Sequence, residues 1–171
     1  MAREALKNGG ITYWSNPDSQ AFEEAYTALR SAEQRLLTDA EVRQLPFLPF
    51  AHPQAAEWRY RADTFQRYYR YFQASEPHRI MDLGCGNGWP ASYLVALGHS
   101  YTGVDINQLE LEQAARIHQH PEASFIYWDV MMDKAPSTFQ VDTVLIQASI
   151  QYFPDLSQLL RRLQSLLADG G

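Results

Sequence analysis

Four short apolar runs punctuate the second half of the chain, and each stops at a glycine or a polar residue. Ile80-Met81-Asp82-Leu83 leads into Gly84, Tyr101-Thr102-Gly103-Val104 into Asp105, Phe125-Ile126-Tyr127-Trp128 into Asp129, and the run Val141 to Ile146 into Gln147. Runs of this length, bounded by turn residues, predict buried strands. Helical spacing fills the gaps between them. Tyr93, Leu94 and Leu97 follow Pro90, which suits a helix start, and Gly98 suits its end. Asn107 with Glu110 resembles a capping box, opening a helix to about His118 that Pro121 stops. Leu156, Leu159, Leu160, Leu163, Leu166 and Leu167 mark a last helix. This alternation predicts an α/β, doubly wound, mostly parallel sheet.

The first 75 residues carry a different pattern and predict an N-terminal helical extension (1–75) before the core (76–171). Asn16-Pro17 reads as the cap of a helix reaching about Leu37, with Phe22, Tyr26, Leu29 and Leu36 on one side. Thr38 with Glu41 resembles a second capping box, starting a short helix to about Leu45. Prolines 46, 49 and 53 then break structure. A third helix, from about Gln54 to Gln73, carries Trp58, Ala62, Phe65, Tyr69 and Phe72 at three- and four-residue steps. These aromatics read as core. A lid over a substrate pocket is a compatible reading, because a lid needs a packed underside.

Composition narrows the function classes. With 171 residues the chain is one domain by length, and 46% hydrophobic residues suffice for a sizeable core. A net charge of −6 disfavours nucleic acid as a partner, since the phosphate backbone calls for a basic surface. A single cysteine, Cys85, excludes internal disulfides and fits a reducing, cytoplasmic compartment. No signal peptide is read in residues 1–15, and no apolar run long enough for a membrane span is present. His118 and His120 sit two apart with no cysteine partner, so no metal site is expected.

The chemistry concentrates in Asp82-Leu83-Gly84-Cys85-Gly86-Asn87-Gly88-Trp89-Pro90. Three glycines let the backbone take positive φ and let a ligand approach the main chain. A dinucleotide fingerprint needs a small residue three positions after its second glycine, and Trp89 stands there. No Gly-Lys-Ser/Thr follows, which excludes a Walker-type phosphate loop. The G-x-G-x-G spacing, preceded by an acid, resembles motif I of the class I S-adenosylmethionine-dependent methyltransferases, of the bacterial small-molecule type. The ordered polar strand ends extend that resemblance over residues 79–171. It implies a Rossmann-like sheet, here four strands in the order 3-2-1-4, and S-adenosylmethionine as cofactor, with S-adenosylhomocysteine as product.

The resemblance also implies roles for particular residues. Gly84, Cys85 and Gly86 would meet the methionine part through backbone, with Asp82 behind the loop, orienting it or reaching the amino group through water. Asp105 would accept from the ribose hydroxyls and Ile106 would cover one adenine face. Asp129 would take the adenine amino group, with Trp128 or Val130 as apolar cover. Gln147 would face the methionine moiety, and Ser149 or Tyr152 the substrate. Arg61 is favoured as a guanidinium partner for the cofactor carboxylate, against a solvated helix face paired with Glu57 and Asp63. Tyr13 is expected as an aromatic lid residue. Plainer alternatives stand beside these roles: Asp105 as a helix N-cap, Asp129 as a turn residue, Cys85 as a small buried filler.

A base is needed only for a weakly nucleophilic acceptor, and the spacing of His52, Tyr60 and Tyr152 selects none of them, so the catalytic residue stays unknown. No Asn-Pro-Pro-Tyr or Asp-Pro-Pro-Tyr segment follows the fourth strand, which leaves a small molecule as the expected acceptor. The family's sheet usually continues past the Gly-Gly at 170–171 with three further strands. Three readings follow: a truncated chain, a natural short form, or a protomer that pairs the exposed edge Val141 to Ile146 with a second copy. A cofactor-binding module without turnover is the alternative to an enzyme.

Overall fold

The four strands expected from the apolar runs form the middle and one edge of a larger sheet. The structure, a computed structural model, describes residues 6–17, 20–33 and 36–168. Its strands are β1 (Leu6–Asn8), β2 (Ile11–Tyr13), β3 (Arg79–Leu83), β4 (Ser100–Asp105), β5 (Ala123–Tyr127) and β6 (Thr143–Ile146). Its helices are α1 (Gln20–Ala32), α2 (Asp39–Val42), α3 (Ala55–Gln73), α4 (Ala91–Ala96), α5 (Gln108–Ile117) and α6 (Leu156–Gln164). The sheet order is β1-β2-β5-β4-β3-β6. Five of these strands run parallel, and β1 pairs antiparallel to β2 at the edge. The expected order 3-2-1-4 is therefore present as β5-β4-β3-β6.

The N-terminal segment is the correction to that reading. Residues 6–13 form a hairpin whose second strand extends the sheet beside β5, with Ile11 opposite Phe125 and Tyr13 opposite Tyr127. Two three-residue strands are too short to show an alternation in sequence, and only the waiting edge of β5 gives them partners. The chain divides into two compact units: the stretch up to Pro17 together with everything from Pro77 onward, and Asp18–Glu76. The core unit thus begins with the hairpin rather than at residue 76.

Within the core unit, side chains alternate across the sheet. Met81, Leu83, Val104, Ile126, Trp128 and Val141 pack with Leu159, Leu163 and Leu166 from α6 and the turn after it. The other face packs against α4 and α5, whose Leu94, Leu111 and Ala114 are wholly buried. Leu156 and Leu160 of the expected leucine stripe remain exposed. Asn107 caps α5 by accepting from the Glu110 N–H at 3.1 Å, and Gly98 takes φ +92° after α4. At the far edge, Val141 forms a parallel bridge to Leu167, so the expected open edge is already engaged at its first residue. Among the described residues, Thr143–Ile146 pair on one side only, with β3.

The other unit is helical, as expected. Thr38 and Glu41 close a reciprocal capping box at α2, and the Glu41 carboxyl is held below its usual range by those Thr38 bonds. In α3, Trp58, Ala62, Phe65 and Phe72 are buried. The first helix is shorter than expected, ending at Ala32; Leu29 and Leu36 are exposed, and the side chain of Phe22 lies outside the described residues.

Candidate functional site

The bend after β3 is built by three left-handed glycines, Gly84 (φ +74°), Gly86 (+53°) and Gly88 (+63°). Its peptide groups are tied to β4 next door. Gly84 N–H and Cys85 N–H donate to the Val104 carbonyl at 2.8 and 3.1 Å, and Gly86 N–H donates to Asp105 Oδ2 at 2.8 Å. Gly88 fills the role that the sequence argument sought at Trp89: a Cβ there would stand 2.5 Å from the Phe125 ring and 3.2 Å from Ala114. The close helix-to-strand contact thus comes two residues after Gly86, which leaves Trp89 free to be buried.

Beneath the bend lies Asp82, 1% exposed. Its Oδ2 accepts from the Tyr101 hydroxyl at 2.8 Å and from Gln147 Nε2 at 3.3 Å, while Oδ1 has no hydrogen-bond partner. Burial pushes this carboxyl up to about 7 despite those two bonds, and the negative charge of Asp105 adds to the rise. Cys85 is buried, its Sγ 3.5 Å from the Gly86 carbonyl, and burial raises its thiol well above the usual range. That is the small-filler alternative, and a thiol so disfavoured as thiolate is no nucleophile.

Asp105 ends β4 and works hard inside its own loop. Oδ2 accepts from Gly86 N–H, and Oδ1 from Ile106 N–H at 2.7 Å and Asn107 N–H at 2.9 Å. It is not the N-cap of α5, since Asn107 holds that position. Ile106 is exposed, as a covering residue must be. Asp129 lies at the same end of the neighbouring strand: Trp128 N–H donates to the Asp105 carbonyl at 3.0 Å. Its Oδ1 accepts from Met131 and Met132 N–H, the turn role, and its own N–H donates to Ser15 Oγ at 2.8 Å. Gln147, half-buried after β6, reaches Asp82.

Other expected residues are placed elsewhere. Trp128 and Val130 are 2% exposed and belong to the core on the α6 face, Trp128 against Trp14 and Phe139. They line a cleft of about 420 Å³ with Phe139 and Arg162, and that cleft does not include the glycine bend. Ser149 does not present its hydroxyl outward; it is buried and donates to the Leu83 carbonyl at 2.7 Å. Tyr13 is a strand residue stacked on Tyr127 at 5.6 Å, not part of a separate lid. Arg61, in the helical unit, pairs with Glu57 at 2.6 Å and lies over the Trp58 ring, which is the helix-face alternative. His52 in the same unit bonds Glu41 at 3.0 Å, Tyr60 is exposed there, and Tyr152 is exposed in the core unit. Among the described residues no group of three or more His, Cys, Asp or Glu is arranged to hold a metal ion, and no helix is long and apolar enough to cross a membrane.

Two contributors escaped the sequence reading. Tyr101, two residues before the register partner of Asp82 on β4, donates its hydroxyl to Asp82 across the strand pair. Ser15 reaches Asp129 only because the N-terminal hairpin joins the sheet.

Known proteins sharpen this geometry. A family model described as a methyltransferase domain matches residues 80–171, just over half of the chain. The malonyl-[acyl-carrier protein] O-methyltransferase of Halalkalibacterium halodurans is 30% identical over 101 residues, covering 56% of this chain and 37% of the relative. The ubiquinone biosynthesis O-methyltransferase of Xanthomonas euvesicatoria is 30% identical over 98 residues, 54% of this chain and 40% of its own. The chain thus spans less than half the length of these relatives. Among solved structures, a SAM-dependent methyltransferase from Thiobacillus denitrificans, in complex with S-adenosyl-L-homocysteine, shares the fold with a TM-score of 0.54 at 19% identity, covering 80% of this chain and 53% of that one. With the glycine bend, the acids ending its neighbouring strands and the family match over the same residues, the chain belongs to the class I S-adenosylmethionine-dependent methyltransferase family.

Proposed function

We propose that this chain binds S-adenosylmethionine at the bend after β3 and serves methyl transfer from it to a small-molecule acceptor. The carrying observation is the charge of the residues gathered there. Asp82 lies beneath the bend and Asp105 bonds its Gly86 amide. Glu110 Oε2 would be 3.1 Å from a Cβ on Gly86. Carboxylates so placed repel a phosphate and favour a cation carrying hydroxyl groups, and an adenosyl sulfonium is both. The unbonded Oδ1 of Asp82 offers an acceptor for an ammonium, directly or through water.

The group, when bound, supplies an electrophilic methyl. The chain's own work is to hold it in line with the incoming nucleophile, which accounts for most of the rate gain available to such a reaction. Gly84, Cys85 and Gly86 would give close backbone approach, Asp105 would accept from the ribose hydroxyls, and Ile106 and Asp129 would cover and recognise adenine. Gln147 donates to Asp82 and would face the methionine end. Malonyl-[acyl-carrier protein], ubiquinone-pathway and trans-aconitate methyltransferases among the relatives support a small molecule or carrier-borne acyl group as the acceptor. The one-sided pairing of Thr143–Ile146 supports association with a second copy, and sedimentation velocity tests it: a monomer at micromolar concentration refutes it. Cytoplasmic residence agrees with the lone buried thiol.

Titration calorimetry with S-adenosylhomocysteine tests the cofactor reading. Micromolar binding supports it, and no heat at millimolar ligand overturns it. A labelled-methyl screen over small carboxylic acids and phenols then separates an enzyme from a module that binds without turnover.

A further inference from the structure

Asp105 holds the glycine bend from the β4 side; a second residue holds it from the other flank. The peptide joining Leu83 to Gly84 is a rigid plane, so its carbonyl and its N–H move together. Its N–H donates to the Val104 carbonyl at 2.8 Å, toward β4. Its carbonyl accepts from Ser149 Oγ at 2.7 Å, beyond the end of β6. Ser149 is 6% exposed and packs so tightly on the bend that a Cβ on Gly84 would lie 2.4 Å from the Ser149 Cβ and 2.6 Å from its hydroxyl. The residue before it, Ala148, has φ +52°. A non-glycine residue is held in that region only when its surroundings demand it. Here the left-handed turn carries the chain off β6 and sets Ser149 against the bend.

We propose that Ser149 is a positioning residue of the cofactor site: with Val104 it clamps the Leu83–Gly84 peptide plane, and so fixes where the following amides of the bend point. The proposal rests on the cofactor reading above. It assigns Ser149 a role beneath the cofactor rather than toward the acceptor, and it gives the strained Ala148 a purpose. Removing the hydroxyl takes from the Leu83 carbonyl its side-chain donor and loosens one side of the plane, so part of the ordering of the bend is left to ligand binding. An ordering step equal to one lost hydrogen bond weakens binding about 5- to 10-fold.

The test uses the full chain and S-adenosylhomocysteine as probe. Ser149→Ala is expected to raise the calorimetric Kd about 5- to 10-fold and to speed hydrogen exchange at the Gly84 amide without ligand, leaving the Met81 amide unchanged. Leu163→Val, which removes a buried methylene on α6, serves as a stability control: it lowers Tm and leaves Kd and Gly84 exchange as in the wild type. Ala148→Val cannot keep φ +52° and should reproduce the Ser149→Ala losses, which keeps the proposal testable if the alanine variant does not fold. Wild-type Kd and Gly84 exchange in whichever of the two variants folds overturn the clamp. Failure of the wild type to bind overturns the cofactor reading alone, because Gly84 exchange still judges the clamp.

Discussion

Replacing Asp82 by Asn should make the protein more stable at pH 8 than at pH 4.5, relative to wild type. Folding buries a carboxyl that prefers water, so its titration rises from 3.8 in the open chain to about 7 in the fold. Between those values the folded state holds a proton that the unfolded state has released. Stability contributed by the neutral acid is therefore complete below about pH 4, drains away as pH rises toward 7, and is absent above it. The full linkage corresponds to about 4 kcal/mol at about 1.4 kcal/mol for each pH unit between the two values. Relaxation and water entry reduce it, and about 2–4 kcal/mol is expected. An Asn has no such dependence. Its oxygen, in the place of Oδ2, can accept from both Tyr101 and Gln147, but its amide hydrogens then stand where Oδ1 has no partner, and burying them unbonded costs about 1 kcal/mol at every pH.

Urea unfolding of both proteins across pH 4.5–8.5 reads this directly, because titrations shared by the two cancel in the difference. The Asn variant should be level with or slightly below wild type at pH 4.5, and ahead of it by about 1–3 kcal/mol at pH 8. A pH-independent difference would refute the reasoning and place Asp82 as an ordinary ionised acid. Binding should move the other way. If the ionised carboxylate meets the cofactor's ammonium, wild-type affinity for S-adenosylhomocysteine rises from pH 6 to pH 8, while the Asn variant binds weakly and without that rise.

Asp105→Asn cannot accept from Gly86 on one oxygen and from Ile106 and Asn107 on the other; a loss of about 1–3 kcal/mol in stability and at least tenfold in S-adenosylhomocysteine affinity is expected, read by thermal melts and calorimetry. Gly88→Ala places a methyl against Phe125 and Ala114 at a φ of +63°, and should destabilise by about 2–4 kcal/mol in urea; a neutral effect would deny that this glycine sets the contact. Arg79 forks onto Asp142 at 2.6 and 3.0 Å, and its bonds hold the Asp142 carboxyl down to about 2. That contribution is present above about pH 4 and lost as pH falls through 2, so Asp142→Asn should lower Tm at pH 7 and converge with wild type near pH 2.

How much of this was legible depends on how local the signal is. The strands β3 to β6 could be read because each is an apolar run closed by a turn residue, and the glycine bend because positive φ selects glycine. The N-terminal hairpin could not, since Ile11-Thr12-Tyr13 becomes a strand only by pairing with β5. The same missing contact hid Ser15. Trp128 and Asp129 are consecutive, so alternation sends them to different surroundings: the tryptophan into the α6-side core, the acid into its own turn. A sequence shows that both are present, but the face each takes depends on register. Arg61 was ambiguous for a similar reason, and within α3 it pairs with Glu57 one turn earlier.

Several departures from ordinary folding rules in the core unit gather around one place, while Gly9, Gly10 and Gly98 take positive φ in turns elsewhere. Gly84, Gly86 and Gly88 sit at positive φ, Ala148 is a non-glycine residue in the same region, and Asp82 keeps an oxygen buried and unbonded at the end of β3. Spread over a sheet, such features would be unexplained weaknesses. Here all of them lie at the carboxyl ends of β3 and β6, adjacent parallel strands on whose two sides the order of connection reverses. At such a switch point the loops diverge and leave a crevice, and the backbone there can be strained because the strands below over-determine it. Asp105 ties the bend to β4, Ser149 ties it to the end of β6, and Tyr101 props the acid beneath. Stability is given up at the position where a ligand would restore it, by satisfying Asp82 and filling the crevice. A purely structural bend would have no reason to keep a buried acid half unbonded.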